Sequence, residues 1–296
     1  MKSLPDAYLP LLAFIRPARA RTDVWRVFLV WMGFEAGFAI TPLLVSPFID
    51  DRWPDALLEV LNYAGFGLDL IIILILVRLL HKRGLGSLIG PRPAFWRDLR
   101  RVLLAVSLVL LIQQPFDLAG DAEFLTRAPL GHWLGWLAPA FLAIALQVTT
   151  EEVYFRGYLT QQLAAVDLRR RVWLVIPSVY FGFSHLLNGA GLAEGALWAV
   201  WAAMLGAACA DLTARTGNLG AAIGLHLGNN LFAALILGFA GQPGAGLTLF
   251  VLPEGAYIEN TAGIAALLSP MTLVDLAYAA LGVLVMWLAA RVAVRA

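Results

Sequence analysis

Charge is scarce in these 296 residues: Asp, Glu, Lys and Arg together make up 14% of them, against roughly 25% in soluble domains. That leaves too little polar surface for a water-facing protein of this length, and excludes the pair of soluble domains that length alone suggests. A net charge of +1 provides no field for nucleic acid or for an acidic partner. Cys209 is the single cysteine, so no intrachain disulfide can form, and the thiol reads as a small buried packing residue. H-E-x-x-H is absent, and with it the usual zinc-protease ligand pair. G-x-S-x-G is absent too, and Ser184 beside His185 does not replace it. Gly84-Leu-Gly86-Ser-Leu-Ile-Gly90 has the wrong spacing for a dinucleotide loop and no parallel-sheet context.

What the chain has is hydrocarbon. It is 60% hydrophobic with a mean hydropathy of +0.78, and about 20 apolar residues suffice to cross a bilayer. The runs at 24–46, 57–79, 102–119, 131–152, 172–188, 196–214, 218–240 and 271–292 predict an all-α, polytopic bundle of about eight spans. The fourth run is longer than a membrane needs, since helical sequence continues towards Val166. Residues 1–23 read as a cytoplasmic leader: Tyr8 to Ile15 is broken by Pro10 and leads into Arg16, Arg19 and Arg21, which argues against a cleaved signal peptide. Residues 24–296 read as one membrane domain with a motif-bearing core at about 131–240, and Gly241 to Pro270 as its longest connection, holding a short helix.

Arginine placement orients the bundle. One side receives Lys2, Arg16, Arg19, Arg21, Arg26, the loop from Lys82 to Arg101, Arg169 to Arg171, Arg215, Arg291 and Arg295. The other has Arg52 and Arg127 among Asp50, Asp51, Asp55, Asp117, Asp121, Glu123, Glu194, Glu254 and Glu259. Both termini are therefore expected in the cytoplasm. Gly220, Gly224 and Gly228 line one stripe of the seventh span, and Gly33 and Gly37 repeat the pattern in the first, as closely packed membrane helices prefer.

Within this apolar chain a few ionisable side chains stand out, and such groups are expensive in lipid unless they face a cavity or each other. Glu151 and Glu152 are adjacent, with Arg156 four residues on. Residues four apart share a helix face, so Glu152 pairs with Arg156 while Glu151 turns about 100° away and is free to take a proton from water. His185 shares a face with Phe181, and His226 with Asn230. The last two would aim two donors at one point, as a developing oxyanion requires. A structural ion pair at a helix end, and a histidine that bonds one helix to another, are the plainer readings of the same residues. Two imidazoles and a carboxylate, Glu151, His185 and His226, would also make a three-ligand zinc site. That alternative is not favoured, and no cofactor is expected. Glu35 and Asp69 read as interhelical hydrogen bonders or as lining for a wet cavity; His81 and His132 suggest no role.

The ordered set Glu151-Glu152-Val-Tyr-Phe-Arg156-Gly157, Phe181-Gly-Phe-Ser-His185, and Arg215-Thr-Gly-Asn-Leu-Gly220 before His226-Leu-Gly-Asn-Asn230 resembles the CPBP family. These are membrane proteases related to CAAX prenyl protease 2 and to bacteriocin-processing and abortive-infection proteins. The resemblance covers about residues 140–235. It implies a glutamate-type, metal-independent intramembrane endopeptidase: Glu151 as general base, His185 helping to activate water, His226 and Asn230 holding the oxyanion, and Glu152, Arg156 and Phe181 in support. The implied partners are the lipid bilayer and a membrane-associated or lipidated peptide or protein, met in a polar cavity opening towards the cytoplasm. Alanine and arginine richness suggests a bacterial inner membrane, where prenylated substrates are not assumed. Oligomeric state is left open. Some relatives act as immunity or interaction proteins, so a non-catalytic role is the main rival. A proton-coupled transporter is a second, without the internal repeat that would support it.

Overall fold

The computed structural model describes residues 4–50, 52–119, 125–188, 191–240, 244–253, 267 and 269–295. After a helical turn, α1 (Leu9–Phe14) leads to α2 (Val24–Val45), α3 (Asp55–His81), α4 (Leu85–Ile89) and α5 (Arg92–Ala119). Strand β1 (Thr126–Arg127) precedes α6 (Leu130–Glu152), which runs through a π-helical stretch, Val153–Leu159, into α7 (Thr160–Val166). A second π-helical turn, Arg171–Val175, opens α8 (Ile176–Phe183). The chain closes with α9 (Leu192–Thr216), α10 (Gly220–Leu235), β2 (Leu237–Phe239), β3 (Phe250–Leu252) and α11 (Pro270–Val294).

The architecture is an all-α bundle. To it is added one three-stranded sheet in the order β1-β3-β2, with β3 antiparallel to β1 and parallel to β2. Part of the Gly241–Pro270 connection expected as a short helix is this β3 strand, while residues 241–243, 254–266 and 268 lie outside the described residues. So do Asp51, Asp121, Glu123, Glu254 and Glu259, and the side chain of Asp117, all used above to read orientation.

Among the described residues, five segments are long and apolar enough to cross a membrane: Val24–Phe48, Asp55–His81, Leu130–Val166, Leu192–Thr216 and Thr272–Val294. They coincide with five of the predicted runs. The other three runs also lie on helical segments. Run 102–119 begins inside α5, whose first turns carry Arg92, Arg97, Asp98, Arg100 and Arg101. Run 172–188 is divided between a π-helical turn and the 8 residues of α8. Run 218–240 contains the 16-residue α10, which ends at β2. Leu130–Val166 is continuous for 37 residues, about 55 Å of helix, well beyond a hydrocarbon core of about 30 Å.

Large apolar side chains point outward along these helices, among them Phe28, Leu29, Leu43 and Leu44 of α2, Ile71, Ile75 and Leu79 of α3, and Leu273, Leu281 and Leu288 of α11. Contiguous exposed apolar faces on several long helices need lipid against them. This is an integral membrane protein.

Missing side chains set the closest contacts. A Cβ placed on Gly220 would fall 2.1 Å from the Phe95 carbonyl oxygen, one on Gly224 2.8 Å from that of Leu99, and one on Gly228 2.9 Å from Val106 Cγ1. The predicted stripe is thus the face by which α10 lies on the backbone of α5. Gly33 and Gly37 bring α2 onto Leu76, Ile72 and Asp69 of α3 in the same way. Helix α9 stops at Gly217, whose φ of 67° is the left-handed cap that glycine adopts without strain. Ser269 caps α11 by accepting from the Thr272 amide at 3.1 Å, with Pro270 at the first helical position.

The basic clusters meet at one end of the bundle. Arg21 and Arg26 both bond the Leu80 carbonyl, and Arg170 and Arg215 lie over the Tyr8 ring. Tyr8, Leu11, Phe14 and Ile15 of the N-terminal segment are buried there, with the Tyr8 hydroxyl donating to Asp211 at 2.6 Å. Burial and this bond both favour the protonated phenol and push the Tyr8 pKa up. Pro10, Arg215, Val294 and Arg295 line one crevice at that end, so both ends of the chain lie together.

Candidate active site

Glu151 and Glu152 close α6, where the helix widens into its π-helical stretch. Such widened turns gather at functional sites because they re-aim side chains that a regular helix would fix. Glu152 is fully buried and takes Arg156 Nη1 at 2.8 Å, the predicted pair four residues apart. The room for Arg156 is made elsewhere: a Cβ on Gly206 of α9 would sit 2.9 Å from its Nη2. The guanidinium stacks on Phe181 at 4.5 Å from the ring centre. Phe181 in turn meets His185 at 4.6 Å and His226 at 5.7 Å, both edge-on. One aromatic ring from α8 thus spaces three charged or imidazole groups.

His226, on α10, joins the two carboxylates. Its Nδ1 lies 2.9 Å from Glu152 Oε1 and its Nε2 3.5 Å from Glu151 Oε2. The carboxylate paired with Arg156 can only accept, so Nδ1 carries a hydrogen. At 3.5 Å from Nε2, Glu151 Oε2 is buried without a hydrogen-bond partner.

His185 lies just past α8. Its Nδ1 is 2.8 Å from the Phe181 carbonyl oxygen and 3.2 Å from Ser184 Oγ. A carbonyl accepts only, so Nδ1 donates and Nε2 of the neutral ring is left as an acceptor. Asn230 is held by two amides: its Nδ2 donates to Gln147 Oε1 at 3.1 Å and its Oδ1 accepts from Asn229 at 3.1 Å. One Asn230 hydrogen stays available.

Glu151, Gln147 and His185 line one cavity of about 1120 Å³, with Tyr63, Asp69, Glu35 and Asn229. The cavity reaches Gly238, Gly244 and Thr248 at the sheet end. An opening on the arginine-bearing side was expected; instead the described lining contains no arginine and extends to the opposite end. The reason is topological, since α6 runs from the sheet to the arginine end and carries Glu151 only part of the way. His226 and Asn230 stand behind Glu151 and Gln147 and are not themselves in the lining.

Sequence reasoning did not find Gln147, Tyr63 or Gly206. Gln147 was detectable, being one helical turn before Glu151 on the same face. Gly206 and Tyr63 leave no such trace. Glu35 and Asp69, read as cavity-lining or interhelical groups, are both: Tyr180 donates to Glu35, and each residue borders the cavity. His81, assigned no role, is buried against the Tyr158 hydroxyl at 2.8 Å. His132 packs on Trp136. As for the zinc alternative, no group of three or more His, Cys, Asp or Glu side chains suited to a metal ion is gathered among the described residues. His226 faces a carboxylate with each ring nitrogen.

Comparison with known proteins meets the same residues. Residues 132–232 match the model of the Rce1-like, type II CAAX prenyl endopeptidase family. The uncharacterized protein YyaK of Bacillus subtilis (strain 168) is 25% identical over 245 residues, which cover 76% of this chain and 82% of YyaK. No solved structure matches the chain. Glu151, Glu152, Arg156, Phe181, His185, His226 and Asn230 all fall inside the segment that is similar to the Rce1-like family.

Proposed function

We propose that this protein is an intramembrane endopeptidase that hydrolyses a membrane-associated peptide or protein. The observation that carries the reading is the joint placement of Glu151: it opens onto a large cavity beside His185 while its other neighbour is His226 at 3.5 Å. A water held between Glu151 and Nε2 of His185 loses a proton to Glu151 as its oxygen attacks the peptide carbonyl. The oxyanion that forms is assigned to His226 and Asn230, which have to reach it from behind Glu151 and Gln147. As the tetrahedral species collapses, the proton passes through His185 to the leaving amine. Glu152 and Arg156 hold His226 in its tautomer. The cavity suits an amphipathic or lipidated segment, and the arginine-bearing end is assigned to the cytoplasm of a bacterial cell.

The test is Glu151→Gln, which keeps the shape and removes the base. Membrane peptides from cells carrying parent or variant are compared by their new termini. Products present with the parent and lost with the variant support the reading, with a fall of at least 100-fold in turnover for a positioned base. Identical termini in the two cell lines overturn it.

One feature favours the non-catalytic rival: His226 and Asn230 already have partners in Glu152 and Gln147. A purely structural network behaves differently under the same substitution. The parent would then show no turnover, and Glu151→Gln would lose thermal stability or partner binding.

A further inference from the structure

We infer that the side-chain amide of Gln147 is the donor that meets the oxyanion from the cavity, and that Asn230 reaches the reaction only through it. This rests on the endopeptidase reading and names a further catalytic residue within it. Gln147 and Glu151 are one helical turn apart on the same face of α6, and both line the cavity. His226 and Asn230 do not line it. The site is therefore built in two rows, one that faces a substrate and one behind that holds the first in place.

The amides run in one direction. Asn229 Nδ2 donates to Asn230 Oδ1 at 3.1 Å, and Asn230 Nδ2 donates to Gln147 Oε1 at 3.1 Å. A carboxamide whose oxygen is held in this way has its orientation fixed, and its nitrogen keeps two hydrogens on the other side. Gln147 Nε2 has no hydrogen-bond partner among the described residues and is not an enclosed atom. It opens onto the cavity that its residue lines. Glu151 is arranged alike: Oε2 is buried beside His226 Nε2, which leaves Oε1 to face the cavity.

The chemistry calls for this pairing. A peptide carbonyl is neutral until water adds, and only then does its oxygen carry the charge. A donor fixed in advance therefore stabilises the transition state more than the bound substrate. Gln147 and Glu151 stand about 6 Å apart along the helix, which leaves room for one carbonyl between their polar ends. Gln147 is nearer the start of α6, the sheet end to which the cavity extends. A segment entering from there meets Gln147 before Glu151. Asn230 is then a positioning residue, whose removal frees the Gln147 amide to turn.

The test uses the full chain in reconstituted vesicles and an N-palmitoylated, internally quenched peptide carrying a sequence that the parent cleaves in the comparison of termini. A phosphinic analogue of that peptide places a tetrahedral anion where the scissile amide stood. Gln147→Met removes the donor at nearly the same volume. Gln147→Glu keeps the oxygen that Asn230 bonds and replaces the donor alone, so it serves where Gln147→Met fails to fold. Each should lower kcat about 100-fold or more with KM within about threefold, and Gln147→Met should weaken the phosphinic peptide by a similar factor. Asn230→Ala should lower kcat about tenfold, and the double variant should lose no more than Gln147→Met alone. Losses that multiply would return Asn230 to direct contact with the oxyanion and overturn the inference. So would a parental kcat in either Gln147 variant, a loss confined to KM, or a melting transition absent from both, which would mark Gln147 as structural. Any of these beside a parent that cleaves spares the endopeptidase reading; a parent that cleaves nothing removes both.

Discussion

His226 Nδ1 stands 2.9 Å from Glu152 Oε1, so the imidazole proposed to hold the oxyanion is anchored by the carboxylate that Arg156 neutralises. Two helical segments that are far apart in sequence therefore share one electrostatic unit. Loss of any member leaves a buried charge without its partner, and the consequences are measurable.

Arg156→Ala should destabilise the protein by about 3–5 kcal/mol, the usual cost of stranding one half of a buried pair. Glu152→Gln removes the stranded charge, so the double variant should recover part of that loss. A double-mutant cycle from thermal melts measures the coupling. Additive losses would show that the 2.8 Å pair contributes nothing as a pair.

Substitution at Gly206 tests the same unit without touching it chemically. A methyl group there meets Arg156 Nη2 at 2.9 Å and Phe181 Cδ1 at 3.2 Å. Overpacking costs about 1–3 kcal/mol. Gly206→Val should lower turnover at least tenfold while the folded protein is still recovered from membranes. Activity equal to the parent's would mean that the placement of Arg156 is not limiting.

How much of this could be read beforehand is uneven, and the reasons are physical. Glu151, Glu152 and Arg156 stand out because charge is rare in an apolar run, and their spacing already gave the ion pair. That both glutamates reach His226 could not be foreseen, since it depends on the π-helical stretch and on the approach of α10. Hydropathy located the five long helices. The run at 172–188 is helical from its start to Phe183, through a π-helical turn and the 8-residue α8. Gln147 was missed because a neutral amide in a hydrophobic helix gives no contrast. Gly206 was missed because its role is to be absent where Arg156 lies.

The reaction is written without a metal. Millimolar 1,10-phenanthroline added to the purified protein should leave turnover within twofold of the untreated rate. A loss restored by added zinc would reassign Glu151, His185 and His226 as ligands.

The orientation can be checked with a thiol reagent that does not cross membranes. Cys209 is buried and will not react. Arg295→Cys and Arg16→Cys should label only after the cells are opened, and Arg52→Cys should label in intact spheroplasts. The opposite pattern would place the arginine-bearing end outside.

The glycine stripe of α10 has one more consequence. Where side chains separate two helices, rotamer changes give the interface some slack; where a Cβ would stand 2.1 Å from a facing carbonyl, as at Gly220, there is none to give. The imidazole two residues past Gly224 inherits that rigidity. Its aim is calibrated by atoms the chain leaves out, a tolerance no repacking of neighbouring side chains could reproduce.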